Sequence, residues 1–590
     1  MNQPASDESI KITRRELINS GIKIGAGLAL LHQFPGMVRP VFGAVRESRQ
    51  TVDRFQASYP RLDEYIARHM SEVGAPGMTV ALADRNGLLR SSQYGFADVK
   101  AGVRVGPQTL FEIGSISKSF VAIAVLQLAE EGKLDLHKPV TNYLPWLKIE
   151  SKYAPFTTHH LLSHTSGLSG VPLLMRVAAT TLRAGFEPGS SWVYSNIGYV
   201  LLGLLIETVD KKPFAEAMRQ RVFTPLGMNS SAPVISNEIR ERLAVGYGPL
   251  QSDRPFSLRG KLGEAPWIEV PEAAGSIAAT ASDMGNYLQM LLNYGAGPKG
   301  RVLSEKSFEL FTRPVIKSPF RGEDASYAYG LWVSNTNGHT LLRHTGGMVA
   351  FSSVMYADVT DGLAAFASVN VARLPGGYRP IPVVRYALAL LSAASRGQEL
   401  PAPPPPLPAP TIVKNASDYS GTFTLRSSSN DKKLVLASAG DQLILEHAGS
   451  RVVLEQAGRD SFLVKHPDFE LFTLGFGREK DVVVEAFHGA SWWTNERYSG
   501  PQKFDYPKDW DAYTGHFHSD SPWYGSGRVV IRKGELLING ELPLAPVEAN
   551  VFRPAGDPSD ADRIIFDTFA NGQAMRLNYS GIEFFRAFTP

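Results

Sequence analysis

The sequence predicts a mixed α and β domain of about 350 residues followed by two all-β modules. Three observations support this prediction. In the first part of the chain, helical segments such as residues 120–130 and 198–209 alternate with strand-like runs such as residues 78–82 and 351–356. A proline-rich run then spans residues 401–410. After it, short alternating apolar segments are separated by Gly, Asp, Asn and Ser, which is typical of β-structure.

Length and composition limit the classes of protein that the chain can belong to. With 590 residues it is too long for one ordinary domain. The composition is that of a folded soluble protein, at 20% charged and 43% hydrophobic residues. A net charge of +3 is too small to attract the phosphates of nucleic acids strongly. The absence of cysteine excludes disulfides, thiolate zinc sites, iron–sulfur clusters and cysteine nucleophiles. Any chemistry must therefore use oxygen or nitrogen.

Residues 1–44 are typical of a targeting segment. Thr13-Arg14-Arg15 precedes a stretch of small and apolar residues, 21–31, and resembles a twin-arginine export signal. The uncharged apolar part, Ile24 to Leu31, is far shorter than the ~20 residues that a membrane-spanning helix needs. We therefore expect a cleaved signal peptide, a periplasmic or secreted protein and no stable membrane anchor. The alternative is a basic amphipathic tail.

The remaining chain divides at the prolines. We assign the mixed domain to residues 50–398, a stiff polyproline linker to residues 399–412, and two β modules to residues 413–500 and 501–590. The modules are predicted to be copies, because Tyr419–Phe423 recurs as Tyr513–Phe517 and Gly440–Ile444 recurs as Gly534–Ile538 at the same offset. Each has room for about eight strands, as in a small barrel or sandwich. The repeated aromatic residues are expected to be core rather than a ligand platform.

Ser115 is the first candidate for chemistry. Gly114-Ser115-Ile116-Ser117-Lys118 opens an apolar segment that ends at Gly132, so we predict a buried helix with Ser115 in its first turn. Lys118 follows by three residues and shares its face, where an amine can activate the hydroxyl. The same S-x-x-K pattern occurs at Ser20 and Ser429, but only Ser115 begins a buried helix.

Tyr194-Ser195-Asn196 is the second candidate, predicted to lie in a loop before a helix near Gly198. A phenol can relay a proton, and an asparagine amide offers a donor and an acceptor to a substrate. The alternative is a helix cap made by Ser195 or Asn196, with Tyr194 in the core.

The third candidate is His344-Thr345-Gly346-Gly347, which ends a strand after the hairpin turn Asn337-Gly338. Glycines there allow the backbone to approach a substrate closely, as an oxyanion hole requires. The alternative is a glycine-rich bulge.

These three segments, in this order, resemble the serine β-lactamase and DD-peptidase superfamily, near its AmpC-like, D-aminopeptidase and esterase branches. Gly74–Gly77, Leu161–Leu168 and Ala274–Met284 are also similar to that family, and the resemblance covers residues 55–391. It implies an α/β (α+β) β-lactamase/transpeptidase-like domain, in which helices flank a central antiparallel sheet.

The resemblance also implies roles for individual residues. Ser115 becomes acylated, and Lys118 and Tyr194 transfer protons. Asn196, His344, Thr345 and Gly346 bind the substrate, and the N–H groups of Ser115 and Gly347 form the oxyanion hole. No cofactor and no metal are expected.

His344 departs from the lysine that β-lactamases of this superfamily usually carry. Histidine is neutral over much of the physiological range, so we expect a preference for peptides, amines or esters over penicillins. His159, His160 and His164 have no acidic partner at zinc spacing and are expected to be structural.

The leading hypothesis is thus an exported serine hydrolase acting on peptides or amides with D-residues, such as cell-wall fragments. The runner-up is a carboxylesterase or a weak β-lactamase. A third hypothesis is a non-catalytic protein that binds cell-wall fragments. We do not expect nucleic acid as a partner, and the sequence does not predict an oligomeric state.

Overall fold

The computed structural model describes residues 54–170, 182–251, 253–318, 325–372, 377–427 and 432–587. The signal peptide predicted at residues 1–44 lies outside these ranges. Among the helices of these ranges, none has the length and apolarity needed to cross a membrane.

The helices belong to the N-terminal domain. The α-helices described are α1 (Ser58–Val73), α2 (Ser117–Glu130), α3 (Thr158–Leu162), α4 (Asn196–Asp210), α5 (Phe214–Met218), α6 (Thr224–Leu226), α7 (Ala281–Leu292), α8 (Glu305–Thr312) and α9 (Ile381–Ser395). A π-helical turn covers Arg219–Phe223, and short 3₁₀ turns cover Gly114–Ile116, Val140–Asn142, Asn237–Arg242, Ala416–Tyr419, Pro467–Phe469 and Lys508–Tyr513.

The strands of this domain are β1 (Gly77–Asp84), β2 (Gly87–Asp98), β3 (Val103–Arg104), β4 (Phe111–Glu112), β5 (Ile149–Glu150), β6 (Leu182–Arg183), β7 (Tyr247–Pro249), β8 (Leu262–Glu264), β9 (Ala278–Ala279), β10 (Ala296–Gly297), β11 (Gly300–Arg301), β12 (Ile316–Lys317), β13 (Ala325–Tyr327), β14 (Trp332–Thr336), β15 (His339–Gly347), β16 (Ser352–Asp358) and β17 (Leu363–Val369). Nine of them form one antiparallel sheet in the order β12-β13-β14-β15-β16-β17-β1-β2-β3. Short two-stranded pairs, among them β4-β9, surround it.

Helices cover both faces of this sheet. Because successive side chains of a strand point to opposite faces, β1 supplies Met78, Val80 and Leu82 to the core under α1 and α9, and Ala81 and Ala83 to the core that contains α2, α4 and α7. Every residue of β1 is consequently buried. The central antiparallel sheet flanked by helices, which the sequence predicts, is confirmed.

The chain after the prolines is all-β, as predicted. The first sheet contains β18 (Gly421–Leu425), β19 (Lys433–Ala439), β20 (Gln442–His447), β21 (Ser450–Val453), β22 (Glu455–Gly458), β23 (Ser461–Leu463), β24 (Leu474–Glu479), β25 (Val482–His488) and β26 (Ser491–Thr494). The second is a closed barrel of β27 (Gly515–His518), β28 (Ser526–Arg532), β29 (Glu535–Ile538), β30 (Leu542–Glu548), β31 (Val551–Pro554), β32 (Ile564–Ala570), β33 (Gln573–Tyr579) and β34 (Ile582–Arg586). The repeated aromatic residues are core in both: Tyr419, Phe423, Tyr513 and Phe517.

The proline-rich segment packs along the N-terminal domain. Residues 399–409 form neither helix nor strand. Arg61 of α1 donates a hydrogen bond of 2.9 Å to the carbonyl of Leu400, and the hydroxyl of Tyr386 in α9 donates one of 3.1 Å to that of Pro401. The linker is therefore held against α1 and α9 instead of projecting away from them.

Candidate active site

Ser115 lies in the 3₁₀ turn Gly114–Ile116, directly before α2, and not in the first turn of the α-helix itself. Between residues 111 and 120 it is the one residue that is not buried. Gly114 has φ of +53°, and a Cβ there would lie 2.9 Å from the backbone N and O of Gly347. Only glycine permits this turn and the close approach of the two segments.

Lys118 is completely buried, with no exposed surface. Its Nζ donates to Ser115 Oγ at 3.1 Å, to Asn196 Oδ1 at 2.7 Å and to the carbonyl of Ala274 at 2.7 Å. It also lies 4.9 Å from the centre of the Tyr194 ring. Burial places the pKa of Lys118 well below its ordinary value. The side chain can therefore be a neutral amine, able to accept a proton from Ser115, at a pH well below the ordinary pKa of lysine.

The Tyr194–Asn196 segment both caps a helix and lines the site. The Ser195 hydroxyl accepts a hydrogen bond of 3.2 Å from the N–H of Gly198, so Ser195 is the N-cap of α4. Asn196 is then the first residue of α4 and reaches Lys118. The ring of Tyr194 stacks on Trp332, with 6.0 Å between centroids and 4° between planes. The helix cap of the alternative is thus present, whereas Tyr194 is only partly buried and does not belong to the core.

The glycines of β15 meet the segment that carries Ser115. Strand β14 pairs with β15 only as far as Arg343, whereas β16 pairs with it to Gly347. The end of β15 consequently faces the turn of Ser115: a Cβ on Gly346 would lie 1.8 Å from the carbonyl oxygen of Ile113 and 3.3 Å from the nitrogen of Ser115. This brings the backbone of Ser115 and of Gly347 together, in the region where two N–H donors can stabilise an oxyanion.

His344 packs against aromatic rings and is 1% exposed. Its Nδ1 lies 2.7 Å from the carbonyl of Thr345, which can only accept, so a neutral ring carries its proton there. Nε2 then accepts a hydrogen bond from the hydroxyl of Tyr327 at 3.3 Å. The ring also packs on Trp332 at 4.4 Å. Thr345 is buried beside it. The imidazole thus helps to shape the aromatic wall of the site.

His164 contributes to the site in a way that the sequence does not reveal. Its Nδ1 accepts a hydrogen bond of 3.1 Å from the N–H of Ser195, and its ring lies 4.3 Å from that of Tyr194. The residue has φ of +61°, which is unfavourable for a side chain with a Cβ. Burial, followed by the nearby Lys118 and His344, holds the pKa of His164 well below its ordinary value. A neutral ring is thereby kept as an acceptor under the Tyr194–Asn196 segment.

The other two histidines have structural contacts. His160 completes a capping box with Thr157 at the start of α3, and His159 lies 2.6 Å from the Tyr329 hydroxyl. In the described part of the chain, side chains that could hold a metal ion cluster at two places away from this site. These are His339 with Asp358 and Asp361, and His447 with His466 and Asp468.

A serine beside a buried lysine, an asparagine that binds that lysine, and a glycine-rich strand end, all on a helix-flanked antiparallel sheet, define the serine β-lactamase and DD-peptidase superfamily. The sequence profile described as Beta-lactamase matches residues 62–387, more than half of the chain. The chain belongs to this family, whose members are serine hydrolases.

Curated relatives and solved structures agree with this assignment. The chain is 28% identical over 305 residues to a penicillin-binding protein of Bacillus subtilis (strain 168), and 26% identical over 336 residues to Protein flp of Staphylococcus aureus (strain N315). These matches cover 47% and 54% of this chain and 64% of each relative, so the chain spans just under two thirds of their length. An octameric penicillin-binding protein homologue from Pyrococcus abyssi has the same fold, with a TM-score of 0.50 and 23% identity, over 74% of this chain and all of that one.

Proposed function

We propose that the protein is an exported serine hydrolase that forms an acyl-enzyme on Ser115 and cleaves peptides or amides containing D-residues. The observation that carries this proposal is the 3.1 Å contact between Ser115 Oγ and the completely buried Lys118 Nζ. A desolvated amine held beside a partly exposed hydroxyl is a base poised to activate a nucleophile.

The acylation step follows from these contacts. Ser115 Oγ attacks the carbonyl carbon of the substrate while its proton passes to Lys118, and the carbonyl oxygen becomes an oxyanion near the N–H groups of Ser115 and Gly347. One such donor is worth roughly 3 to 4 kcal/mol of barrier. The proton then moves to the leaving amine, through Lys118 or Tyr194, as the C–N bond breaks. Water then attacks the acyl-enzyme, and the same proton transfers occur in reverse. This step releases the acid and regenerates Ser115.

The side-chain amide of Asn196 has two polar groups, the acceptor Oδ1 and the donor NH₂. Its Oδ1 is occupied by Lys118, which fixes the orientation of the amide and directs its NH₂ group elsewhere. That NH₂ group is the donor we assign to a carbonyl of the substrate's acyl part. Thr345 and Gly346 supply the strand edge along which an extended substrate lies.

The environment of His344 favours a second candidate activity, that of a carboxylesterase. A buried imidazole whose Nδ1 is bound to a backbone carbonyl does not provide the permanent charge that a penicillin carboxylate would seek. Neutral esters and amides do not need such a permanent positive charge. The same reasoning makes β-lactam hydrolysis the weakest of the activities considered.

Intact-mass measurement of the acyl-enzyme tests the proposal. The protein lacking residues 1–44 is incubated with benzylpenicillin or with a p-nitrophenyl ester, and so are its Ser115→Ala and Ser429→Ala variants. Ser429 also precedes a lysine by three residues and is the matched control. We expect a covalent adduct on the parent and on Ser429→Ala, and none on Ser115→Ala.

Hydrolysis assays then separate the activities. Release of D-alanine from peptides ending in D-alanyl-D-alanine, or of p-nitroaniline from D-aminoacyl anilides, supports the peptidase. Rapid ester hydrolysis with all D-residue substrates intact would instead assign the esterase. Unchanged turnover in Ser115→Ala would contradict both.

A further inference from the structure

Two histidines and one aspartate form a cluster on the first β module. His447 is the last residue of β20, and His466 and Asp468 lie in the connection between β23 and β24. Nε2 of His447 lies 2.7 Å from Oδ2 of Asp468, and Nδ1 of His466 lies 3.8 Å from the same oxygen. Each of the three side chains places a ligand atom within 4.8 Å of the other two. Two imidazoles and a carboxylate thus converge on one point.

The separations between these atoms suit a zinc ion. Tetrahedral zinc holds nitrogen and oxygen ligands at about 2.0 to 2.2 Å, which places neighbouring ligand atoms about 3.4 Å apart. The two separations of 2.7 and 3.8 Å lie on either side of that value. Three protein ligands leave a fourth position for water. Imidazole nitrogens also favour zinc over magnesium and calcium, which prefer oxygen ligands.

The hydrogen bonds of the cluster show how each ligand atom stands. The hydrogen bond from His447, followed by the positive charges nearby, lowers the pKa of Asp468, so this group is a carboxylate at neutral pH. A carboxylate only accepts, so Nε2 of His447 carries a proton, which a neutral ring can move to its other nitrogen when a metal binds. Nδ1 of His466 accepts the N–H of Asp468 at 3.2 Å and therefore already presents a lone pair.

Core packing holds the two imidazoles in place. Their rings lie 4.9 Å apart, and the ring of Phe469 lies 5.1 Å from that of His447 and 6.4 Å from that of His466. Phe469 itself is buried in the core of the module. Less conformational entropy is then lost when a metal orders these ligands. The Asp468 side chain is 63% exposed, so an ion can enter from solvent, and the nearby Lys432 is also exposed and can turn away.

The second cluster, His339 with Asp358 and Asp361, is built differently. Oδ2 of Asp361 accepts hydrogen bonds from Arg396 at 2.6 Å and from Ser392 at 2.8 Å. The carboxylate of Asp358 is held by His339 at 2.8 Å. A guanidinium in contact with one of the carboxylates already neutralises it and repels a cation. This cluster is satisfied by its own residues and provides the matched control.

We propose that His447, His466 and Asp468 bind one Zn²⁺ ion, with water as the fourth ligand. The ion would join the end of β20 to the turn that precedes β24. The proposal concerns the first β module and does not depend on the chemistry assigned to Ser115.

A zinc ion here would also steady the contact between the domains. Glu470, two residues after Asp468, forms an ion pair of 2.7 Å with Arg254 of the N-terminal domain. The neighbouring Asp253 forms one of 2.8 Å with Arg528 of the barrel. The turn that the zinc would fix thus belongs to the place where the three domains meet.

Metal titration tests the proposal. The untagged full chain is freed of metal with a chelator and titrated with Zn²⁺ by calorimetry, and hydrogen exchange of residues 466–470 is measured with and without the ion. We expect one ion per chain at this site and slower exchange in the turn. His466→Ala and Asp468→Asn should each weaken zinc binding by at least about a hundredfold and remove the protection. His339→Ala should keep both, and Mg²⁺ should reproduce neither.

Several results would overturn the zinc site. These are a parent protein that binds no zinc, an affinity that His466→Ala and Asp468→Asn leave unchanged, and a loss of binding in His339→Ala instead. Zinc binding without slower exchange at residues 466–470 would place the ion elsewhere on the chain and would also contradict the proposal. If the cluster variants do not fold, the protection of this turn in the parent decides.

Discussion

The hydroxyl of Ser169 donates a hydrogen bond to the carboxylate of Asp562, which belongs to the C-terminal barrel. The carbonyl of Ser169 in turn accepts a hydrogen bond of 2.8 Å from Ser195, the residue between Tyr194 and Asn196. Nearby, a Cβ on Gly185 would lie 2.1 Å from the carbonyl oxygen of Ser559. The barrel therefore supports the loop that presents two of the candidate site residues, Tyr194 and Asn196.

This contact predicts that Asp562→Ala loosens the Tyr194–Asn196 segment. Asp562 is buried and accepts hydrogen bonds from both Ser169 and Ser580, so its removal leaves polar groups unsatisfied. We expect hydrogen exchange at the start of α4 to accelerate and kcat/KM to fall by about tenfold through lost positioning. Asp567→Ala, whose carboxylate binds Arg576 within the barrel, is the control. Equal protection from hydrogen exchange at the start of α4 in both variants would show that the barrel does not support the site.

Lys118→Met should abolish acylation without unfolding the protein. The change removes the general base, worth about 10² to 10⁴ in rate, and replaces a buried amine by an apolar chain of similar length. The burst of p-nitrophenol release measures the first effect, and thermal unfolding the second. Retained burst amplitude and rate would show that Lys118 is not the base.

The acylation rate should fall as Lys118 becomes protonated, at a pH well below the ordinary pKa of lysine. Because the pKa of Lys118 is lowered, the amine is deprotonated above that lowered value and protonated only below it. Activity is thus present above the folded-state pKa and lost as the pH falls through it. A profile that rises only near the ordinary pKa of lysine, about 10.4, would contradict a buried neutral amine.

Gly346→Ala should eliminate activity and destabilise the fold. Its Cβ would lie 1.8 Å from the backbone oxygen of Ile113, so the strand end must move away from the turn of Ser115. At Gly248 a Cβ meets nothing within 4 Å, and Gly248→Ala should be neutral. Esterase assays and thermal unfolding of both variants provide the comparison. Normal activity in Gly346→Ala would mean that this contact is not needed.

His164→Ala should be more harmful than His164→Asn. Alanine lacks the acceptor for the N–H of Ser195 and keeps the unfavourable positive φ, for an expected loss of about 1 to 3 kcal/mol. Asparagine tolerates this backbone conformation and retains an oxygen acceptor. Chemical denaturation measures the stabilities, and kcat/KM should follow the same order. Equal stability of the two variants would contradict a role for the acceptor.

Spacing and context together predicted Ser115 and Lys118. The S-x-x-K spacing also occurs at Ser20 and Ser429, and only Ser115 precedes a buried apolar helix. The segment Tyr194–Asn196 was also predicted, with a cap by Ser195 or Asn196 as its alternative, but the contact between Asn196 and Lys118 was not. His164 could not be assigned from the sequence. A positive φ at a histidine is a consequence of packing, which local patterns do not encode.

The sequence by itself determined the helix-flanked sheet, the all-β region after the prolines and the order of the candidate site residues. These follow from periodicity, turn residues and spacing, which act over a few residues. Only the tertiary structure decided that Lys118 contacts Asn196 and Ala274 and that the barrel supports Ser169. Those contacts join residues far apart in the chain, and they depend on how whole elements pack and on what that packing excludes from water.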